Sequence, residues 1–580
     1  MKRFDTCLLI IVFLAIFFRF NNLNWDSNFH LHPDERFLTM VGNAMTMPMS
    51  FKEYFNPVIS TFNPANIGYK FYVYGIFPLV LNKIIALSTG ADNYNFFTIQ
   101  GRFLSAFFDI LTLLFVFKIT KLLENKYRFA KSIKYWAAFF YAIAVFPIQL
   151  SHFFAVDTFL NFFMLGSFYF VLKLSEPPRF QEPRGFLFLF FSAIFLGLAL
   201  ASKITAIYIF PLNFLFLFLG TNKNIKKFLI LTSYYLILIY IVLRIADPYY
   251  FQSTNFFDPT LSVTFKSGIK QLQILSSREG SAFYPPAVQW QNKGPLFLLI
   301  NTAVFGVGLP YFIFMIIGVF YIALSFLIKT NSKYQKNKIA INNWQLTIIL
   351  LWVIGLFFYQ SAQFVKTMRY TIYLYPFLAI IAAFGLRVIL NLFQDLFNRF
   401  RIKSGMTLIY IVITILLIIW PVMFSSIYMR KNSRVEASEW IYQNLPNNSF
   451  ILSEHWDDSL PLPMVNNYGK QFQGTQLPVF DPDTPEKWKK MEELLKKGDY
   501  YILSSNRAWG SVPTVPEKYP RMSKFYNNLL SNKTNYKLVK EFVSYPKISF
   551  FNFQFSIADD WSEELFTVYD HPKVLIYKKI

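Results

Sequence analysis

This chain has almost no cysteine. Its one thiol, Cys7, lies inside the first apolar run of 580 residues, so disulfides and cysteine-based metal sites are excluded. Histidine is nearly as sparse, at five, and charged residues make up only 15%. There is no glycine-rich phosphate loop and no dinucleotide fingerprint, which argues against a soluble nucleotide donor. No internal repeat and no low-complexity linker occurs, so neither a solenoid nor a string of tethered modules is supported.

What fills the chain is apolar. It is 54% hydrophobic and 20% aromatic, with 71 Phe, far beyond what a soluble core requires. Apolar runs of span length recur at 7–23, 102–121, 135–150, 158–174, 186–201, 204–219, 228–244, 308–328, 344–360, 370–390 and 406–427. They predict a polytopic α-helical membrane protein with about eleven transmembrane helices. Lys2-Arg3 before the first run resembles a signal peptide, but Arg19-Phe20-Asn21-Asn22-Leu23 offers no small-residue cleavage site. We read that run as a retained span.

A net charge of +23 tempts a nucleic-acid reading. Its distribution argues against one. Residues 1–427 hold 36 Lys/Arg and 15 Asp/Glu, whereas residues 428–580 hold 20 and 18. The excess belongs to the membrane part, where basic loops set orientation. With the N-terminus in the cytoplasm, the cytoplasmic connections carry Lys118, Lys121, Lys126, Arg128, Lys131 and Lys134. Later ones carry Arg179 and Arg184, then Lys223, Lys226 and Lys227, then Lys329, Lys333, Lys336 and Lys338, and last Arg399, Arg401 and Lys403. Counting residues 69–90 as a twelfth span would put the first of these clusters outside. We therefore read 69–90 as a re-entrant or juxtamembrane piece broken by Gly75 and Pro78, with a twelfth span as the alternative. Loops 24–101 and 245–307 then lie outside the cytoplasm, the second with interfacial helices near 261–275 and 296–305. So does segment 428–580. There, helices expected at 433–445, 486–497 and 519–531 alternate with strands at 450–453 and 500–504 and a terminal strand pair over 565–578. That order predicts a small α/β domain.

The ionisable residues near the outer ends of the spans come from distant parts of the sequence. They are Arg19, Asp34, Glu35, Arg102, His152, Asp157, Lys203, Arg244, Asp247 and Arg369. Charge at membrane depth is costly unless it handles a substrate or an ion. Arg and Lys suit a phosphate, and carboxylates suit deprotonation of a hydroxyl or a metal. Phosphate-binding cations scattered at a lipid boundary point to a lipid-phosphate ligand. Asp34 and Glu35 are adjacent, so on a helix they point about 100° apart and do different jobs. Each residue also has a plainer reading. Snorkelling accounts for Arg19 and Arg244, and less readily for Lys203. Capping a helix after Pro33 accounts for Asp34 and Glu35, and an interfacial ring accounts for His152. Arg102 and Arg369 stand outside against the charge rule. The spacing of His30, His32 and His152 with Asp157 specifies no metal site, so a divalent metal stays open. Asp457 and Asp458 follow a strand and offer a place to hold a sugar; the plainer reading is a pair of solvated acids.

The ordered set of motifs resembles the GT-C glycosyltransferases that use polyprenyl-phosphate sugars, among them protein O-mannosyltransferases and lipid A aminoarabinose transferases. The matching pieces begin with His32-Pro33-Asp34-Glu35, Tyr74-Gly75-Ile76-Phe77-Pro78-Leu79 and Gly101-Arg102-Phe103-Leu104-Ser105-Ala106. They continue with Ser151-His152-Phe153-Phe154-Ala155-Val156-Asp157, Ala201-Ser202-Lys203-Ile204-Thr205-Ala206 and Arg369-Tyr370. The resemblance covers about residues 1–390. It implies that Asp34, with Glu35 beside it, activates the acceptor. It implies that Asp157 matches the second-loop acid, and that Arg102, Lys203 and Arg369 contact the carrier phosphate. The expected activity is inverting sugar transfer at the plasma membrane from a polyprenyl-phosphate donor to a hydroxyl outside the cytoplasm. The rival is a transporter or flippase of lipid-linked glycans, for which repeats and midplane charges would be expected. A binding module on a mere anchor would need one span only.

Overall fold

The computed structural model describes residues 5–126, 132–175, 183–329, 344–399, 405–550 and 553–580. Among these, eight helices are long and apolar enough to cross a membrane. The pair Ile133–Ala142 and Val145–Ser151 makes a ninth span if its 54° bend is allowed. The expected spans 7–23 and 204–219 are shorter apolar pieces, Thr6–Phe20 and Ile204–Gly220. Arg128, Lys131, Arg179, Lys333, Lys336, Lys338, Arg401 and Lys403 lie outside the described residues, as do the side chains of Lys126, Arg184, Lys329 and Arg399.

Burial sorts the helices into layers. Val156–Leu174 is 83% buried inside the protein, whereas Ile225–Ala246, the more apolar of the two, is only 17% buried. An apolar helix left bare by its own protein is one that faces lipid. Part of the phenylalanine surplus fills the centre. Phe108 lies against Phe159, Phe162 and Phe163, with ring centroids 4.5 to 5.5 Å apart.

The bend at residues 142–145 frees carbonyls that lipid cannot satisfy. Arg19 clasps them. Its guanidinium donates to Tyr141 O at 3.0 Å and Ala142 O at 2.8 Å, while Asp109 takes its Nε at 2.5 Å. Arg19 is fully buried, so it clamps the bend and does not snorkel. Arg244 likewise donates to Pro248 O and Asn255 O and closes the loop after its helix.

Region 69–90 forms a helix only over Phe77–Ser88. Twelve residues span about 18 Å, short of a hydrocarbon core of about 30 Å. Gly75 and Pro78 act differently from the expected breakers. Pro78 sits in the first turn of that helix. Gly75 crosses another backbone, its N–H donating to Ser202 O at 3.0 Å, and a Cβ there would stand 2.0 Å from Ala201 O.

The C-terminal part begins with helix Ser433–Asn444 after the last span, Gly405–Ser425. Its strands are β1 (Phe450–Glu454), β2 (Gln473–Leu477), β3 (Tyr500–Leu503), β4 (Tyr536–Phe542), β5 (Lys547–Phe550), β6 (Phe553–Ser556) and β7 (Val574–Lys579). Five form a sheet in the order β2-β1-β3-β7-β4, parallel through β2, β1 and β3 and antiparallel beyond; β5 and β6 make a separate hairpin. Strand alternation splits the sheet into two faces. Leu452, Tyr501, Leu503, Leu575 and Tyr577 pack with Trp488 and Met491 of helix Pro485–Lys497 and with Met522 and Tyr526 of helix Pro520–Leu530. Ile451, Ile502, Val574 and Ile576 join a core continuous with the membrane part.

The expected strand pair over 565–578 is not formed. Only β7 is a strand; Glu564–Thr567 is a short helix and residues 559–571 dock onto the membrane part. Gln149 donates to Phe566 O at 2.7 Å and to Asp570 at 3.0 Å, and Tyr428 donates to Asp570 at 2.7 Å. Buried polar anchors replace the ladder that the alternation suggested.

Candidate functional site

Helix Pro33–Ala44 places the two acids. His32 is its N-cap, its ring accepting from Glu35 N–H at 3.3 Å, and Pro33 supplies the first turn. The rings of Phe153 and Tyr569 hold His32 at 4.5 and 4.3 Å, and burial lowers its pKa to about 4, so it is neutral.

Glu35 points inward to Arg102. The guanidinium has five N–H donors, and each is used. Glu35 takes two, at 2.8 and 2.5 Å, Asp26 takes two, at 3.0 and 2.8 Å, and Leu23 O takes the last at 2.7 Å. All three side chains are buried. The neighbouring motif explains the fit. A Cβ on Gly101 would lie 2.2 Å from the Phe154 ring, so glycine lets that ring in, and Phe154 N–H donates to Glu35 at 2.7 Å. Burial raises the Glu35 pKa, and Arg102 only partly offsets it. Burial also penalises charge on Asp26, but Arg102 more than reverses this and its pKa is lowered. With every donor spent on the protein, Arg102 does not reach outward as the expected phosphate contact would.

Asp34 points the other way. Its carboxylate pairs with Arg369, and Arg369 Nε also donates to Asp157 at 3.0 Å. Lys203 Nζ donates to the other Asp157 oxygen at 2.7 Å. The row Asp34–Arg369–Asp157–Lys203 thus joins four expected residues through three ion pairs. Exposure grades along it: the side chains of Asp34, Arg369 and Lys203 are 36%, 14% and 13% exposed, and Asp157 is closed at 0%. Burial opposes charge on Asp34, yet Arg369, helped by His32 and the Tyr74 hydroxyl, holds its pKa down at about 2.

Each cation sits at a helix break. Lys203 is the residue before the 3-10 turn Ile204–Ile209. Arg369 is in the 3-10 turn Met368–Leu374, whose start is fixed from the C-terminal part: Glu563 accepts from Thr367 Oγ1 and from Met368 N–H, both at 2.8 Å.

His152 stands apart from that row. It is buried, stacked on Tyr428 at 3.6 Å, with its ring nitrogens on Ile148 O and Asn21 O. That packing orders loops and leaves no edge for a ligand. His30 contacts Asn95 and Thr98. Among the described residues, no group of three His, Cys, Asp or Glu is arranged to hold a metal ion. Asp457 and Asp458 are not solvated acids either. Arg434 binds them at 2.8 and 3.1 Å, and Asp458 also takes Arg36, from the helix that carries Asp34, at 3.3 Å.

Sequence reasoning missed Asp26, the second acid on Arg102, and Glu563, the brace of the Arg369 turn. It quoted Tyr74 without giving it a role. Nothing in the local sequence marks Asp26 or Glu563, because their partners lie 76 and 195 residues away.

Comparison with known proteins bears on this geometry. Residues 53–252 match the family described as dolichyl-phosphate-mannose-protein mannosyltransferase, a stretch short of half the chain. The oligosaccharyltransferase of Archaeoglobus fulgidus, solved with zinc and sulfate, superposes with a TM-score of 0.51 at 16% identity, over 90% of this chain and 71% of that one. The fold is GT-C. Two further GT-C structures match at lower scores. AglB from Archaeoglobus fulgidus, in complex with an inhibitory peptide and a dolichol-phosphate, gives 0.49 at 15% identity, over 96% of this chain and 74% of that one. ArnT from Cupriavidus metallidurans, bound to undecaprenyl phosphate, gives 0.41 at 12% identity, over 98% and 97%. No curated protein matches. Within the GT-C fold of this chain, the family match takes in Tyr74, Arg102, Asp157 and Lys203 and ends before Arg369.

Proposed function

We propose that this chain is a membrane glycosyltransferase that moves a sugar from a polyprenyl monophosphate to an acceptor hydroxyl. The observation that carries this reading is the row Asp34–Arg369–Asp157–Lys203. It offers one open carboxylate beside two cations, with Asp157 closed behind them. The basic loops support placing the row and the C-terminal domain outside the cytoplasm of the plasma membrane.

The roles follow from charge. Lys203 and the Arg369 fork receive the carrier phosphate. While Arg369 pairs with Asp34, that carboxylate is ionised but a weak base. A phosphate competes for the same guanidinium. As Arg369 turns to it, Asp34 is released and its basicity rises as the acceptor hydroxyl arrives. The acceptor oxygen forms its bond to the anomeric carbon as its proton passes to Asp34. The bond from that carbon to the phosphate oxygen breaks, and its electron pair leaves on polyprenyl phosphate. Lys203 and Arg369 stabilise the dianion that develops. One displacement inverts the anomeric centre. Arg102, Glu35 and Asp26 position the acid helix and touch no reacting atom.

The test is mass spectrometry of products formed by the purified full chain from a panel of polyprenyl-phosphate sugars. A positioned base is worth about 10²–10⁴-fold, so Asp34→Asn should lose transfer on that scale while inserting normally. Transfer at near wild-type rates by that variant would refute the assignment.

A further inference from the structure

The proposed mechanism leaves unused a cavity of about 240 Å³ beside the acid helix. That is room for about eight waters, too little for a large ligand and suited to a single ring. Five tyrosines line it, Tyr69, Tyr72, Tyr74, Tyr249 and Tyr250, together with Asp247. Tyrosine combines an apolar face with a polar tip. A sugar ring presents the complementary pattern, an apolar C–H face and a rim of hydroxyls.

Asp247 gives the cavity an unmet need. It is 1% exposed, among the most deeply buried acids of the chain. One oxygen accepts from Ile76 N–H at 3.0 Å, and the other, Oδ1, has no hydrogen-bond partner among the described residues. Among the described residues no cation pairs with it, and burial raises its pKa to about 7 despite the nearby amides of Tyr249 and Tyr250. An unpaired buried acceptor is costly, and a ligand hydroxyl at that oxygen would relieve the cost.

Tyr74 fixes where the cavity lies. It lines the cavity, and its hydroxyl faces Asp34 and helps to hold that acid's pKa down. A ring held there sits one tyrosine away from the open acid and its cations. We propose that this cavity is the subsite for the donor's sugar ring, with Asp247 accepting from a ring hydroxyl and the tyrosines packing on its faces. This rests on the transferase reading, whose phosphate site is the separate row at Arg369 and Lys203.

The test measures binding of undecaprenyl phosphate to the purified full chain, bare or esterified with mannose, glucose, galactose or arabinose. Wild type is expected to bind one ester at least about tenfold more tightly than the bare carrier, about the worth of one hydrogen bond to a buried acid. Asp247→Asn keeps an oxygen for Ile76 N–H, and Tyr69→Ala removes a lining ring. Both should erase most of the ester's advantage and leave bare-carrier binding within about twofold, which also shows that the variants are folded. If Asp247→Asn loses the bare carrier as well, Tyr69→Ala decides. Both variants retaining the full advantage would overturn the sugar subsite alone, as would an effect confined to the acceptor's KM. Failure of wild type to bind the bare carrier would overturn the transferase reading, and the subsite with it.

Discussion

Adjacent carboxylates part company over one helical step. Glu35 is closed on Arg102, and Asp34 opens toward Arg369. The 100° turn between neighbours made that divergence legible in the sequence. Which acid would face inward was not legible, because it depends on Arg102 and Asp26, 67 and 76 residues from their partners. Arg102 looked like a phosphate ligand for the same reason: its type and place fit, and only the fold shows its donors spent. The two arginines should therefore fail differently. Arg102→Ala strands two buried acids and should cost about 3–5 kcal/mol of stability, read as lost folded yield and a lower Tm in detergent. Arg369→Ala should leave more folded protein and abolish most transfer. Equal stability losses with equal residual activity would contradict this division.

At the scale of elements, breaks matter more than spans. Lys203 and Arg369 stand at 3-10 turns, and Gly75 stands where two backbones meet. Hydropathy placed Lys203 and Arg369 between apolar runs and Gly75 at a break, but not the 3-10 turns or the backbone crossing, which leave no mark in composition. Gly75→Ala puts a methyl 2.0 Å from Ala201 O, against backbone that cannot yield cheaply. It should destabilise by about 1–3 kcal/mol and displace Tyr74, visible as lower Tm and weaker transfer. The docking segment 559–571 is a second case. Its alternation suggested a strand, yet His571 is held between Asp570 and Asp559 at 2.5 and 2.9 Å. Burial opposes charge on that ring, but the two acids raise its pKa to about 10. A raised pKa gives stability that is full below the ordinary histidine value near 6.5 and lost as pH rises through 10. Glu563, raised by burial to about 8, acts in the same direction up to that pH. Limited proteolysis between pH 8 and 10 should thus release the C-terminal domain progressively, and His571→Gln should flatten that limb. A wild-type profile flat across this window would count against the docking account.

At the scale of the whole molecule, the GT-C fold joins a membrane bundle to an α/β domain that braces it. Glu563 fixes the Arg369 turn, Tyr569 packs on His32, and Asp458 holds Arg36 on the acid helix. The bundle and the alternating tail were legible because both write a period into the sequence. The bracing was not, since it consists of single contacts across hundreds of residues. The central claim is that one row of side chains serves both base and carrier phosphate. The measurement that tests it most directly is an experimental map of the full chain with undecaprenyl phosphate bound. The account predicts the phosphate within about 3 Å of Arg369 and Lys203, with Arg369 drawn off Asp34. A phosphate seated on Arg102, or away from Arg369 and Lys203 with the Asp34 pair intact, would contradict it.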